Sequence, residues 1–288
     1  MLAAVIFALL LMSGCITGDL LGDNPYLSVI VLQLLIFVLP ALFFCRLRGG
    51  DYGRRIRVRL FELGTIPFII MAALTLMLAS CAVKFGVYSA LDFAGSTSDI
   101  YDAYIPDDIE GVGAVAAIFT FAVFPAITEE LVFRGIMIAE YETCGVIGAS
   151  VLSSLLFAML HMDLYLLPVY FVSGLILALS VYVTRSLLAP IIIHAANNIF
   201  TLFFEDYLWE SIIQPRNMVI FAFVIISLTL IACALMFGEA SRIYRSYGND
   251  GADSSYAVSK KERTPMVYAI MTIPFAVCLL IYILAVLL

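Results

Sequence analysis

Nine apolar runs, each close to the ~20 residues that span a ~30 Å hydrocarbon core, alternate with polar connections along the chain. They fall near residues 3–17, 26–45, 63–83, 111–128, 146–161, 164–184, 187–204, 217–237 and 266–288. This pattern predicts an all-α fold, a polytopic transmembrane bundle of about eight to nine helices. No internal repeat and no second domain stand out, so residues 1–288 read as a single membrane domain, with the last run a helix at its periphery. The stretch Glu239–Lys261, with Gly248-Asn249-Asp250-Gly251 and Ser254-Ser255, reads as a flexible polar linker.

Composition agrees: 64% of residues are hydrophobic and only 13% charged, and the mean hydropathy of +1.08 excludes an ordinary soluble domain. The first run is the weakest, because Leu11-Met12-Ser13-Gly14-Cys15 has a faint likeness to a lipoprotein cleavage site. It has no basic residue ahead of it and Met12 fits that site poorly, so a retained helix is expected. The six cysteines are scattered, without paired or metal-ligand spacing. Arginines crowd the connection 46–62 and basic residues return in 238–265, whereas the connection from Lys84 to Glu110 is acidic. The positive-inside rule then places the N-terminus in the cytoplasm and 84–110 outside. A prokaryotic cell membrane is the expected setting. The net charge of −7 and the lack of a basic surface argue against a nucleic-acid partner.

The apolar run 119–138 contains Glu129, Glu130 and Arg134, and the chain's two histidines, His161 and His194, fall in later runs. Ionisable groups cost at least ~2.5 kcal/mol at the centre of a bilayer helix, so a group of them marks a functional site. Glu130 and Arg134 are four apart, with the acid first, the favourable order for a helical pair. Glu129 is turned ~100° from Glu130 around the helix. It reads as the unpaired carboxylate, facing elsewhere. Phe157 sits one turn before His161, where its ring helps fix the imidazole. His194 and Asn198 share a helix face, so two donors can converge on one oxygen, a geometry suited to an oxyanion. At 1.5 Å per residue from shared turns, Glu129 and His161 stand roughly 20 and 24 Å along antiparallel helices, and His194 and Asn198 roughly 12 to 18 Å along theirs. All four can surround one intramembrane cavity.

Three segments carry a resemblance: Glu129-Glu130-Leu131-Val132-Phe133-Arg134-Gly135, Phe157-Ala158-Met159-Leu160-His161, and His194-Ala195-Ala196-Asn197-Asn198. They are similar to the E-E-x-x-x-R, F-x-x-x-H and H-x-x-x-N motifs of the CAAX prenyl protease and bacteriocin-processing (Abi) family of intramembrane glutamic endopeptidases. The likeness covers residues 111–204, read as catalytic core helices. It implies that Glu129 is the general base, that His161 helps activate the water, and that His194 and Asn198 hold the oxyanion. Glu130, Arg134 and Phe157 would support the helices or contact substrate. The implied partners are membrane lipids and a peptide or protein substrate, lipidated in one branch of the family.

Other readings stand beside this one. Intramembrane Glu–Arg pairs are as commonly struts as reactive groups, and Glu130–Arg134 reads as a strut. A lone intramembrane histidine more often bridges helices than performs chemistry. No cofactor is expected, although Glu129, His161 and His194 form a ligand set that zinc accepts. Ser153 and Ser154 lie near His161 but lack a G-x-S-x-G context. Outside catalysis, the alternative is an immunity or scaffold membrane protein that binds a peptide or membrane partner. A transporter, with polar groups strung along a path, ranks last. Gly135 and Gly174 read as close helix contacts.

Overall fold

The computed structural model describes residues 1–14, 24–49, 55–93, 112–212, 218–249 and 264–287, which are mostly helical with no strand among them. The helices are α1 (Leu2–Ser13), α2 (Pro25–Arg48), α3 (Ile66–Phe93), α4 (112–141), α5 (Gly145–Leu160), α6 (Leu167–Thr184), α7 (Leu188–Phe203), α8 (Glu205–Ile212), α9 (Met218–Asn249), α10 (Met266–Ile270) and α11 (Ile273–Leu287). The fold is an all-α polytopic bundle. Among the described residues, five helical stretches are long and apolar enough to cross a membrane, one of them comprising α4 and α5 together, and α1, α7 and α11 are shorter apolar helices. The lipoprotein-like site at Cys15, the acidic connection 94–111 and the linker residues 250–263 lie outside the described residues.

Prolines open several of these helices, where a missing N–H is harmless. Pro25 follows the cap Asn24, whose Oδ1 accepts from Leu27 N at 3.2 Å. Two further prolines fall inside helices and change their pitch. Pro40 in α2 and Pro125 in α4 each follow a π-helical turn, Leu34–Val38 and Ile118–Val123. In both, the residue before the proline donates its N–H five residues back, Leu39 to Leu34 and Phe124 to Phe119. The ring removes one donor and crowds the carbonyl four back, so the helix widens there. A third π turn, Leu131–Met137, begins right after Glu130. α4 thus presents its acidic pair on a short α-helical stretch, Phe124–Glu130, between two widened turns.

α3 packs against α6, α7 and α9, α5 packs against α6, and α1 lies along α11 at the periphery. α5 and α6 approach so closely at Gly174 that a Cβ there would stand 2.7 Å from Ser154 Cβ and 2.9 Å from its Cα. A Cβ at Gly135 would meet Ile56 and Leu187 at an ordinary 3.5 Å.

The segment 55–62 straps one end of the bundle. Arg57 pairs with Glu142 in the α4–α5 turn, and Arg55 donates to Ala139 O at 2.7 Å. On the α6–α7 turn, Leu187 N donates to Arg57 O at 3.0 Å and Arg59 Nε to Arg185 O at 2.6 Å. Arg48 of α2 pairs with Glu140, and Arg242 of α9 reaches Gly64 O at 2.7 Å. Arg185, in the left-handed region at φ 54°, lays its guanidinium 3.8 Å from the Tyr247 ring centroid. The arginines are therefore structural ties between turns as well as a loop charge.

One expectation is corrected. Residues 239–249 are the continuation of α9, not the start of a flexible linker. Ala240, Ile243 and Tyr247 are buried against α3 and α6, and Tyr247 donates to Val183 O at 3.1 Å. The polar face carries Glu239, Arg242 and Arg245, so this stretch is amphipathic where the preceding apolar run is not.

The helix contacts at the two glycines predict opposite outcomes. Gly174→Ala should destabilise the protein by about 1–3 kcal/mol, because neither helix backbone can give way cheaply. Gly135→Ala should be neutral or slightly stabilising, through a gain of up to about 1 kcal/mol in helix propensity. Thermal unfolding of both variants in detergent checks this.

Candidate active site

Arg134 is fully buried, and its guanidinium joins four helices. Nη1 donates to Glu130 Oε1 at 2.8 Å, and Nη2 donates to the carbonyl of Gly174 on α6 at 3.3 Å. The guanidinium carbon lies 4.3 Å from the Phe157 ring centroid on α5. The Glu130 oxygen that takes Arg134 also meets His194 Nδ1 of α7 at 2.8 Å. Glu130–Arg134 is the strut that its spacing suggested, extended by an imidazole, a carbonyl and an aromatic face.

Glu129 does not face elsewhere. Its Oε2 lies 4.0 Å from His194 Nε2, on the other side of the ring whose Nδ1 meets Glu130. Two long side chains, although ~100° apart at their Cβ atoms, reach opposite nitrogens of one imidazole set across the helix face. A carboxylate paired with arginine only accepts, so Nδ1 is the donor to Glu130 and Nε2 is the nitrogen turned to Glu129.

His161 caps the C-terminus of α5. Its Nδ1 lies 2.9 Å from Phe157 O, and a carbonyl only accepts, so Nδ1 carries the proton and Nε2 remains an acceptor in the neutral ring. Phe157 meets His161 edge-on with centroids 4.9 Å apart, and meets His194 at 5.7 Å. Tyr170 of α6 stacks on His161 at 3.6 Å and 15°. Both rotamer and tautomer of His161 are held. Asn198 donates from Nδ2 to Ala122 O, in the first π turn of α4, at 3.3 Å.

Glu129, His161, His194 and Asn198 line one cavity of about 400 Å³, together with Asn197. The structure thus brings the four candidate residues together, with Phe157 also in the wall and Glu130 and Arg134 buried next to it. Ser153 is turned away, its hydroxyl donating to Phe133 O at 2.7 Å inside the third π turn. Among the described residues, no three His, Cys, Asp or Glu side chains are grouped as metal ligands.

Several wall residues were not singled out by spacing. Gln33 of α2 accepts from Thr128 Oγ1 at 2.6 Å and lines the cavity together with Glu129. Its signal was available, as an amide isolated among Val29–Val38. Tyr170 left no such signal, since tyrosines are common along the chain. Lys84 of α3 also lines the cavity, and pairs at 2.6 Å with Glu205, the first residue of α8.

Residues 111–200 match the family described as Type II CAAX prenyl endopeptidase Rce1-like. This core is similar to the CAAX protease family. It is also similar to part of the membrane-embedded CAAX protease MroQ of Staphylococcus aureus (strain USA300), 36% identical over 95 residues. That alignment covers 31% of this chain and 38% of MroQ. No solved structure matches the chain. The matched core contains all three motifs and ends within α7; the flanking helices α1–α3 and α8–α11 lie outside it.

Removing one side of the buried strut leaves a charge with no compensation. Glu130→Gln or Arg134→Met alone should cost about 3–5 kcal/mol, whereas the double variant should recover much of that loss. The coupling is measured by a double-mutant cycle on unfolding in detergent.

Proposed function

We propose that this protein is a glutamate-dependent intramembrane endopeptidase. The observation that carries this reading is the convergence of Glu129, His161, His194 and Asn198 on one cavity inside the helix bundle. Glu129 takes a proton from a water molecule held between its carboxylate and His161 Nε2, the nitrogen left as an acceptor by the Phe157 carbonyl. The hydroxide attacks the scissile carbonyl. Asn198 Nδ2 and His194 Nε2, when the latter carries a proton, donate to the developing oxyanion. The proton collected by Glu129 then passes to the leaving amine as the carbon–nitrogen bond breaks.

Glu130 and Arg134 act through His194, holding Nδ1 so that Nε2 points to the cavity. The hydrolysis needs no resident metal, because the donor set already supplies a base and two oxyanion donors. The substrate is a peptide or protein with a bond near the membrane, and a lipidated C-terminal peptide is one class to test. The CAAX-protease core and the name of the Staphylococcus aureus relative support this class of chemistry. A binding role without chemistry, as an immunity or scaffold membrane protein, is the second reading, favoured by the amides of Gln33, Asn197 and Asn198 in the cavity wall, which would suit peptide recognition.

The test is cleavage of a quenched fluorescent peptide, with and without a farnesyl group, by detergent-purified protein. Wild type should cleave in the presence of chelator. Glu129→Gln should lose about 10²–10⁴-fold in rate while its melting curve stays within the wild-type range. Asn198→Ala should lose about 10²–10³-fold in kcat. A fully active Glu129→Gln variant would sink the mechanism, and abolition by chelator followed by rescue with zinc would replace it with metal hydrolysis.

A further inference from the structure

The cavity wall extends toward one end of the bundle, and that placement bears on which peptide bonds it meets. Each lining helix carries the wall into its half away from the arginine strap. α3 starts at the strap and supplies Leu76, Ser80 and Lys84 from further along; α7 also starts there and supplies His194, Asn198 and Thr201. α4 and α6 run the other way. They supply Glu129 and Tyr170 before reaching their strapped turns at Glu142 and Arg185. His161 lies in the α5–α6 turn, opposite the strap.

Towards the strap the cavity has a floor. Glu130 and Arg134 are wholly buried there, α5 and α6 meet at Ser154 and Gly174, and the turns beyond are tied by Arg57 and Arg59. At the other end the wall is polar, with Lys84 paired to Glu205 and Ser80 facing Ser173 at 3.3 Å.

Charge gives the two ends their sides. The strapped end has Arg46, Arg48, Arg55, Arg57, Arg59, Arg185, Arg242 and Arg245, while Lys84 is the described basic residue of the opposite end. In sequence, Arg54, Lys260, Lys261 and Arg263 sit in connections that join strapped helix ends, and Arg216 in one that joins the others. Lysine and arginine near helix ends resist translocation, so the strapped end is cytoplasmic.

We infer that the catalytic cavity opens to the non-cytoplasmic face and takes peptide bonds in exported or membrane-anchored chains presented from that side. This rests on the endopeptidase reading for its chemistry, while the sidedness rests on charge and cavity position alone. A lipidated tail of a soluble cytoplasmic protein would approach the strapped floor and find the reacting groups closed off.

The experiment uses the full chain in a bacterial host and a membrane-impermeant maleimide, scored against labelling of the chain's own cysteines. Thr201→Cys in the cavity wall and Leu164→Cys in the α5–α6 turn should label in intact cells. Arg245→Cys should label only after permeabilisation. The reverse pattern overturns the proposal, as does Leu164→Cys reacting from outside while Thr201→Cys stays silent even in permeabilised cells. Labelling does not depend on cleavage, so it stands apart from the endopeptidase reading. A second readout maps new protein N-termini in cells carrying wild type and absent with Glu129→Gln. Termini in non-cytoplasmic segments support the substrate class, and termini in cytoplasmic segments overturn it. No Glu129-dependent termini, with labelling as expected, overturns the substrate class together with the protease reading and leaves the sidedness supported.

Discussion

A single buried guanidinium holds the centre of this protein together. Arg134 sits among apolar helices where a bare charge is intolerable, and its contacts are spread over three helices, its own included. Glu130 belongs to its own helix, the Gly174 carbonyl to α6, and the Phe157 ring to α5. Through the shared Glu130 oxygen it also fixes His194 of α7. The need to neutralise one cation thus sets the mutual position of all four core helices. Gly174 is part of the same device, since only a residue without a side chain lets α6 come close enough to Ser154 and offer its carbonyl.

The same interaction orders the groups to which the proposed chemistry is assigned. With Nδ1 of His194 committed to Glu130, the ring can address Glu129 and the cavity only through Nε2. His161 is treated in parallel, its Nδ1 held by the Phe157 carbonyl and its ring by edge-on Phe157 and stacked Tyr170. Both imidazoles reach the cavity with one nitrogen each, in defined orientations, before any substrate arrives. Such preorganisation is what a low-dielectric site needs, because groups that are already aligned pay no reorganisation during reaction.

Around this centre the bundle is asymmetric. One end is laced by arginines that tie the α4–α5 and α6–α7 turns to the segment 55–62, and these ties hold the two helical hairpins in register. The wall of the polar cavity extends toward the other end. Widened π turns next to Pro40 and Pro125 and after Glu130 occur on the helices that carry Gln33, Glu129 and Glu130, where extra turn width re-aims side chains without breaking the helix.

The sequence by itself determined the class and the reactive alphabet of this protein. A chain with so much apolar length must bury its backbone hydrogen bonds in membrane helices, and carboxylate, guanidinium and imidazole groups inside such helices are costly enough to stand out. The i,i+4 relations of Glu130 with Arg134, Phe157 with His161 and His194 with Asn198 were legible because they are local to one helix. What only the tertiary structure decided was anything crossing between helices. Glu129 was expected to face away from its neighbour, yet both acids meet His194, because their partner is 64 residues distant from Glu130 and its position is not written in helical periodicity. Tyr170 on His161, the Gly174 carbonyl on Arg134 and the extension of α9 past residue 237 were hidden for the same reason: each depends on a surface that another helix supplies.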